Sequence, residues 1–438
     1  MSVQLVDVVV AGALVLSVML TFQSAYTLFI MLYTWDDLDA RRQGMAPATF
    51  LPPEKTFTVM LPARHEEDVI QTTVERTARA NYPPHLLEIA VICSADDTGT
   101  IEEAEKKIAQ LRAEGIDNAR VIVFNDKPIN KPHGLNTGFR NTRNEIVTIF
   151  DAEDDIHPDI FQLVNTVMLT QDVGVVQCGV QLMNYESNWY STLNVLEYFF
   201  WFKSRLHYHA KRGTIPLGGN TVFFRRGVIQ RVGGWDESNL TEDADIGMRI
   251  SIMGERVRVV YDDQYVTREE TPPSIPQFIK QRTRWSQGFL QTLKKGDWLR
   301  LPTWEQRLLA FYTLGFPCAQ AVLGLYVFVS LAMMFLLKTP VLIAITLTLP
   351  LYLLAAHFIL AVIGLYEFAD AHGLRPSLRT PFVMALTYLP YQWLLSYAAL
   401  RATFRELKGV NNWEKTKHVG AHRQAVAPAT ARPDGPGT

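Results

Sequence analysis

Only three cysteines, Cys93, Cys178 and Cys318, stand in 438 residues, and they are far apart. That scarcity excludes a disulfide framework and a paired-thiolate metal site, and suits plain packing residues in a reducing compartment. The net charge is −2, so the basic footprint of a nucleic-acid binder is missing. There is no internal repeat. Charge itself is absent from four long stretches: Val8 to Trp35, Leu308 to Leu337, Thr339 to Tyr366 and Thr380 to Leu400. A bilayer core asks for about 20 apolar residues per helix. Core helices of soluble proteins are rarely uncharged for so long, so these runs are expected to be membrane segments. The first lacks a basic leader and is too long for a cleaved signal, so it reads as a retained anchor. Lys and Arg are absent before it, while Arg41 and Arg42 follow it. The positive-inside rule then puts the N-terminus outside and the next region in the cytoplasm.

Five zones are expected: an anchor over 1–40, a mixed region over 54–272, an amphipathic interfacial helix over 273–304, membrane segments over 305–403 and a polar tail over 404–438. The tail's Pro/Ala/Gly-rich end, 424–438, is expected to be disordered. The mixed region alternates. Strand-like runs at Phe57–Leu61, Glu88–Cys93, Arg120–Phe124 and Glu145–Phe150 enclose helical patterns near Glu66–Ala80, Ile101–Glu114 and His133–Thr142. That order predicts an α/β domain whose parallel sheet is covered on both faces. Such sheets bind ligands beyond the carboxyl ends of their strands. Polar clusters fall there: Arg64 to Glu67, Asp96-Asp97, and Asp151 to Asp155. Three in successive units are better explained as one site than as accidents of loops.

Asp151-Ala152-Glu153 follows the apolar run 146–150. Alternate residues at an extended strand end point the same way. Two carboxylates so placed repel unless a hard divalent cation joins them, and Mg2+ or Mn2+ binds such carboxylates together with substrate phosphates. Alone, the segment equally describes a solvated acidic loop or a helix start. Lys131, beside a Gly-containing turn that runs to Asn136, can reach a phosphate; alone it reads as an ordinary helix N-terminus. Pro216 to Thr221 is a Gly-rich loop in which backbone can approach a ligand closely, or simply a turn. Thr241-Glu242-Asp243 opens a helical pattern with Thr241 as N-cap. The functional reading makes Asp243 a general base. The helix dipole favours its ionised form, so burial or a second acid has to keep it basic. Gln281, Arg284 and Trp285 share a helical face. Arg can grip a phosphate and Trp gives a sugar ring a flat surface, though an interfacial helix carries the same residues.

In this order the motifs resemble those of the family 2 glycosyltransferases, in their membrane-integrated processive branch. Cellulose, hyaluronan and poly-N-acetylglucosamine synthases belong to it. The resemblance covers roughly residues 55–300. It implies a GT-A (Rossmann-like) fold over 54–272, inserted between transmembrane helices. It also implies an inverting transfer from a nucleotide sugar, with UDP-glucose and UDP-N-acetylglucosamine the leading donors, onto a growing β-glycan. Glu66, Asp96, Asp97, Lys131, Asn136 and Asp151 are implied along the donor. Asp151 and Glu153 resemble the metal-binding Asp-x-Asp pair, with Asp154 as a helper; Glu in second place departs from the commonest form and leaves the ligand set open. Asp243, beside Glu242, resembles the catalytic base of the Thr-Glu-Asp motif. Gly219, Asn220, Thr221, Gln281, Arg284 and Trp285 are implied at the acceptor and the leaving diphosphate. Trp413 to His418 resembles a C-terminal signature of bacterial members, without an evident physical role.

The implied location is the plasma membrane, multi-pass among membrane lipids, with the catalytic domain cytoplasmic. Three C-terminal spans would leave the tail outside. Yet Arg401, Arg405, Lys408, Lys415, Lys417 and Arg423 favour a cytoplasmic tail. One run is therefore expected to be re-entrant, interfacial or a tight pair, with Pro317, Pro381 and Pro390 as places to break. A channel of about four helices needs nearly all of them to line it; otherwise an accessory subunit or a second copy is required. Two other readings compete: a single transfer to a lipid acceptor, and a non-enzymatic transporter or receptor with a nucleotide-sensing domain. Transport predicts charged or broken helices at the midplane, and His357 is the only titratable side chain deep in a run.

Overall fold

β-branched runs alternating with amphipathic segments build a seven-stranded sheet. The computed structural model describes residues 3–336 and 340–414. The strands are β1 (Phe57–Ala63), β2 (Leu87–Ser94), β3 (Ala119–Phe124), β4 (Ile146–Ile149), β5 (Val175–Cys178), β6 (Val180–Leu182), β7 (Val222–Arg225), β8 (Val257–Val260) and β9 (Thr267–Glu269). Their order is β3-β2-β1-β4-β7-β5-β8, with β6 and β9 forming a separate pair. β1 runs parallel to β2 and β4, and β2 to β3, as the sequence pattern requires. β7 is antiparallel to both its neighbours, so the sheet is mixed rather than wholly parallel. The reason is local. β7 leaves the Gly-rich loop at the carboxyl end of β4, where Val222 pairs with Ile149. A strand entering from that end can only run back down.

Helices α1 (Val3–Asp36) and α2 (Leu38–Gly44) precede the sheet. α3 (Ile70–Ala78), α4 (Thr98–Ala113) and α6 (Ile160–Thr170) cover one face, packing Val74, Ile108 and Phe161 against Phe57, Val59 and Ile89. The other face carries α5 (Lys131–Arg140), α7 (Ser191–Phe200), α9 (Arg226–Val232) and α10 (Glu242–Ile252). Their Leu135, Phe199, Ile229 and Ile246 belong to one core with Met60, Ile92 and Val147. A π-helical turn, Trp201–Arg205, joins α7 to α8 (Leu206–Arg212). The remaining helices are α11 (Ile275–Lys295), α12 (Trp304–Leu336), α13 (Val341–Ala371) and α14 (Arg379–Leu407).

Among the described residues, three helices are long and apolar enough to cross a membrane: Val8–Asp36, Trp304–Phe335 and Val341–Ala371. α12 and α14 continue through Pro317 and Pro390, since packed neighbours and local adjustment can satisfy a carbonyl that proline frees. Pro381 stands in the first turn of α14, where the missing N–H costs nothing. The fourth apolar run differs from the others, because both ends of α14 are tied to the sheet domain. Thr380 Oγ1 donates to Glu186 at 3.4 Å, and Arg405 Nε donates to Gln287 of α11 at 3.0 Å. Between them Tyr391 Oη donates to Glu197 of α7 at 2.6 Å. The expected disordered end, 424–438, and most of the Trp413 to His418 string lie outside the described residues.

Candidate active site

The carboxyl ends of β2, β1 and β4 are adjacent in the sheet, so the segments after them meet. Below them a cavity of about 920 Å³ receives side chains from all five zones of the chain. Arg64, His65 and Glu66 line its outer end. Asp97 lines nothing there. It is buried, accepts the His65 backbone N–H at 2.6 Å and caps α4 through Thr100. Asp96 pairs with Arg64 at 3.0 Å. These two carboxylates shape the loop that faces the cavity.

Deeper in, the first residue of α5 organises the acids. Lys131 Nζ donates to Asp151 Oδ1 at 2.6 Å and to the Gly219 carbonyl at 3.3 Å, and stands 3.8 Å from Glu242 Oε1. Burial works against its charge, but Asp151 and Glu242 outweigh that, so its pKa is raised. Glu153, also buried, lines the same wall. Asp154 is turned the other way: it accepts two bonds from Asn220 Nδ2, at 3.0 and 2.9 Å, and one from the Asp151 backbone at 2.8 Å. Burial pushes its carboxyl well up, aided by Glu269, Asp151 and Glu153. Asn136 likewise holds structure, bonding the Trp235 backbone and Glu237 at 2.9 Å. Thr221 is buried at φ 51° behind the loop.

Asp243 sits in the first turn of α10, facing the cavity. A Cβ on Gly219 would stand 3.1 Å from its Oδ2, so the glycine leaves space in front of the carboxylate. Burial raises its pKa, against the Ala244 N–H, Lys131 and Arg284, which lower it. Burial also lifts Glu242, to about 7, against Lys131. The dipole of α10 alone would push both acids down, so desolvation by the surrounding walls decides the sign.

α11 forms the opposite wall with Gln281, Arg284 and Trp285. It reaches α10 through Gly288, where an added Cβ would stand 2.6 Å from the Thr241 backbone nitrogen. Trp285 is braced by Arg282, whose guanidinium lies 4.7 Å from its ring. Arg282 pairs with Glu197, which also accepts from Tyr391. Arg284 lies 4.6 Å from the ring of Trp413, and both line the cavity. The signature-like string therefore has a physical place. Trp413 is held there by its neighbour Glu414, which takes a bidentate pair from Arg401 at 2.7 Å.

Four residues escaped the sequence reading. Glu197 and Glu269 carry no local signal; each reaches the site from an element distant in sequence. Arg282 was in view within its motif, without a role. Arg205, from the π-helical turn, enters the cavity between α1 and α12, 5.0 Å from the Trp201 ring and 5.6 Å from Phe316. Nearby, Gln23, Thr27, Gln320 and Gln392 line the same space. It is thus one continuous cavity, from strand ends to apolar helices.

The contact at Gly288 makes a direct test of the α10–α11 arrangement. Gly288→Ala should lower stability by about 1–3 kcal/mol through overpacking, seen as a lower Tm in calorimetry of the detergent-solubilised protein. An unchanged Tm would mean that the two helices are not in this contact.

Residues 52–288, more than half the chain, match the family described as glycosyltransferase like family 2. A probable glycosyltransferase of Bacillus subtilis is 29% identical over 245 residues, 53% of this chain and 54% of that protein. A β-monoglucosyldiacylglycerol synthase of Nostoc is 26% identical over 237 residues, 53% and 49% of the two chains. The poly-β-1,6-N-acetyl-D-glucosamine synthase of Staphylococcus epidermidis is 23% identical over 275 residues, 62% and 63%. The chain thus spans about half the length of the first curated relatives it matches. Among solved structures, a mannosyltransferase from Pyrobaculum calidifontis in complex with GDP-Man and Mn2+ has the same fold, with a TM-score of 0.55 at 21% identity over 91% of this chain and 99% of that one. The fold is therefore GT-A, and on the match across 52–288 the chain belongs to the family 2 glycosyltransferases.

Proposed function

We propose that this protein transfers a hexose with inversion from a nucleotide sugar, UDP-glucose or UDP-N-acetylglucosamine, to the end of a β-linked glycan at the cytoplasmic face of the plasma membrane. One observation carries the reading: the cavity that holds Asp151 and Asp243 continues past Trp285 into space lined by Gln23, Gln320 and Gln392 among the apolar helices. Amide and hydroxyl side chains at that depth suit a polyhydroxylated chain leaving the site. A single transfer to a lipid is the second reading, favoured by Met31, Leu323, Leu354 and Leu395 in the same lining.

The geometry supports the following chemistry. The acceptor hydroxyl attacks the anomeric carbon, its proton passes to Asp243, and the bond to the diphosphate breaks with the electron pair leaving on phosphate. Lys131 and Arg284 face that leaving group. Trp285 offers its ring to the acceptor sugar. Asp151 and Glu153 suit a hard divalent ion, Mg2+ or Mn2+, since Asp151 already attracts the one ammonium within reach. Such an ion would neutralise the diphosphate. Asp154, saturated by Asn220 and backbone, would orient the loop rather than ligate first.

The count of apolar helices supports this location. If α1, α12 and α13 each cross once and α14 stays on the domain, the C-terminal segment returns to the side of the catalytic domain. That agrees with Arg41 and Arg42 after α1 and with the basic residues of the tail.

Three outcomes are expected. Asp243→Asn should lower transfer by about 10²–10⁴-fold while donor binding by calorimetry stays nearly unchanged; an active variant removes the base assignment. In the wild type, the acid limb of kcat/KM should lie above the ordinary carboxylate value of about 4. The base works deprotonated, so activity is full above its raised pKa and falls as pH drops through it. EDTA should stop nucleoside diphosphate release and Mg2+ or Mn2+ restore it, whereas metal-independent turnover would remove the role of Asp151 and Glu153. Sizing the product separates a ladder of glycans from a single glycolipid.

A further inference from the structure

A second cavity, of about 670 Å³, lies on the flank of the domain away from the catalytic acids. Its walls are the end of α8, the loop before β5, the turn into β8, and Gln306 of α12. Four cations line it: Lys211, Arg212, Arg256 and Arg258. So do two carboxylates, Asp172 and Glu255. Glu255 is paired with Arg231, and Lys211 reaches Asp37 at 3.0 Å. Among the described residues, no carboxylate stands within ion-pair distance of Arg212, Arg256 or Arg258. Arg212 has only the Tyr208 ring, 5.3 Å away. Arg258 Nε is buried without a hydrogen-bond partner. Three guanidinium groups therefore face one acid, Asp172, around an open volume.

Its depth is set by two apolar helices. Lys211 holds Asp37 just beyond the end of α1. Gln306, in the first turn of α12, donates to the carbonyls of Arg212 and Gly213 at 3.1 and 3.2 Å. Exposed Leu38, Leu299 and Trp304 stand close in sequence to those helix ends, with Arg41, Arg42 and Arg300 among them. Apolar and aromatic side chains mixed with cations mark the level of lipid headgroups, and basic pockets at that level bind anionic ones.

We infer that this cavity is a binding site for the phosphate of an anionic membrane lipid, held by Arg212, Arg256 and Arg258. A guanidinium meets a phosphate with two parallel N–H bonds, and three supply the charge that Asp172 cannot. The acyl chains would continue beside α1 and α12. None of this depends on the sugar transferred, or on transfer at all.

The test is native mass spectrometry of the full chain, delipidated in neutral detergent and offered equimolar phosphatidylglycerol and phosphatidylcholine. The wild type should retain phosphatidylglycerol preferentially. Arg212→Gln/Arg256→Gln, both at exposed positions, should weaken that retention roughly tenfold, with an unchanged Tm. Arg41→Gln/Arg42→Gln, in α2 and outside the cavity lining, should keep it. Equal retention by the cavity variant overturns the site, and equal loss in the control variant reduces it to diffuse surface charge. Inorganic phosphate alone raising the Tm, with no lipid preference, would overturn the lipid assignment in favour of a soluble phosphate.

Discussion

Carboxylates gathered out of water repel one another, and the active site exists because one ammonium holds them together. Lys131 lies against Asp151 and near Glu242, with Asp243 beyond. Without that cation, three acids at one helix start and one strand end would splay, and the Gly219 loop would lose the donor that pins its carbonyl. The rest of the architecture serves this cluster. Parallel strands bring β1, β2 and β4 to a common edge. α5 delivers the lysine, and α11 presses Thr241 into place through a glycine. Desolvation, which makes the cluster costly, also lifts Asp243 and Glu242 above ordinary carboxylates.

The junction between sheet domain and apolar helices is built from charge as well as packing. Lys203 bridges Glu367 of α13 at 3.0 Å and Asp263 at 3.6 Å. Arg282, Glu197 and Tyr391 link α11, α7 and α14. Pairs buried at such a seam stabilise little by themselves, because desolvation offsets their attraction. They do fix register, since a slipped helix would leave a charge unpaired. The cavity wall at Trp285 is therefore positioned by the same contacts that dock the apolar helices.

Much of this was legible from residue order. Strand ends bearing Asp97, Asp151 and Glu66 could be read because hydrophobic period and turn position are local properties. The helix starting at Glu242 was marked by Thr241 ahead of it, although in the fold the Thr241 hydroxyl turns to Asn239 and makes no capping bond. What stayed hidden depends on long-range geometry. Nothing near Glu197 or Glu269 announces that each folds back to the site. The antiparallel β7 follows from where its loop enters the sheet, which periodicity does not encode. Nor could composition show how α14 meets the domain: its stretch from Thr380 to Leu400 is uncharged like the other runs, and the contacts of Thr380, Tyr391 and Arg405 appear only in the folded chain. Asp154 and Asn136 stand among the motif residues, yet their side chains are spent on Asn220 and Glu237.

The π-helical turn at Trp201–Arg205 has a consequence of phase. One residue more than a regular helix needs rotates everything after it by about 100°. Trp201 and Arg205 thereby face the cavity, while Lys203 between them faces Glu367 and Asp263. α8 leaves the turn in the phase that sets Tyr208 against Tyr26 and Tyr33 of α1. A five-residue turn thus works as a gear between two compartments: the count of residues in it, more than their identity, determines which side chains meet the cavity, the charged seam or α1. Deleting a single residue there would return the turn to regular helix and re-aim Trp201, Lys203 and Arg205 relative to α8.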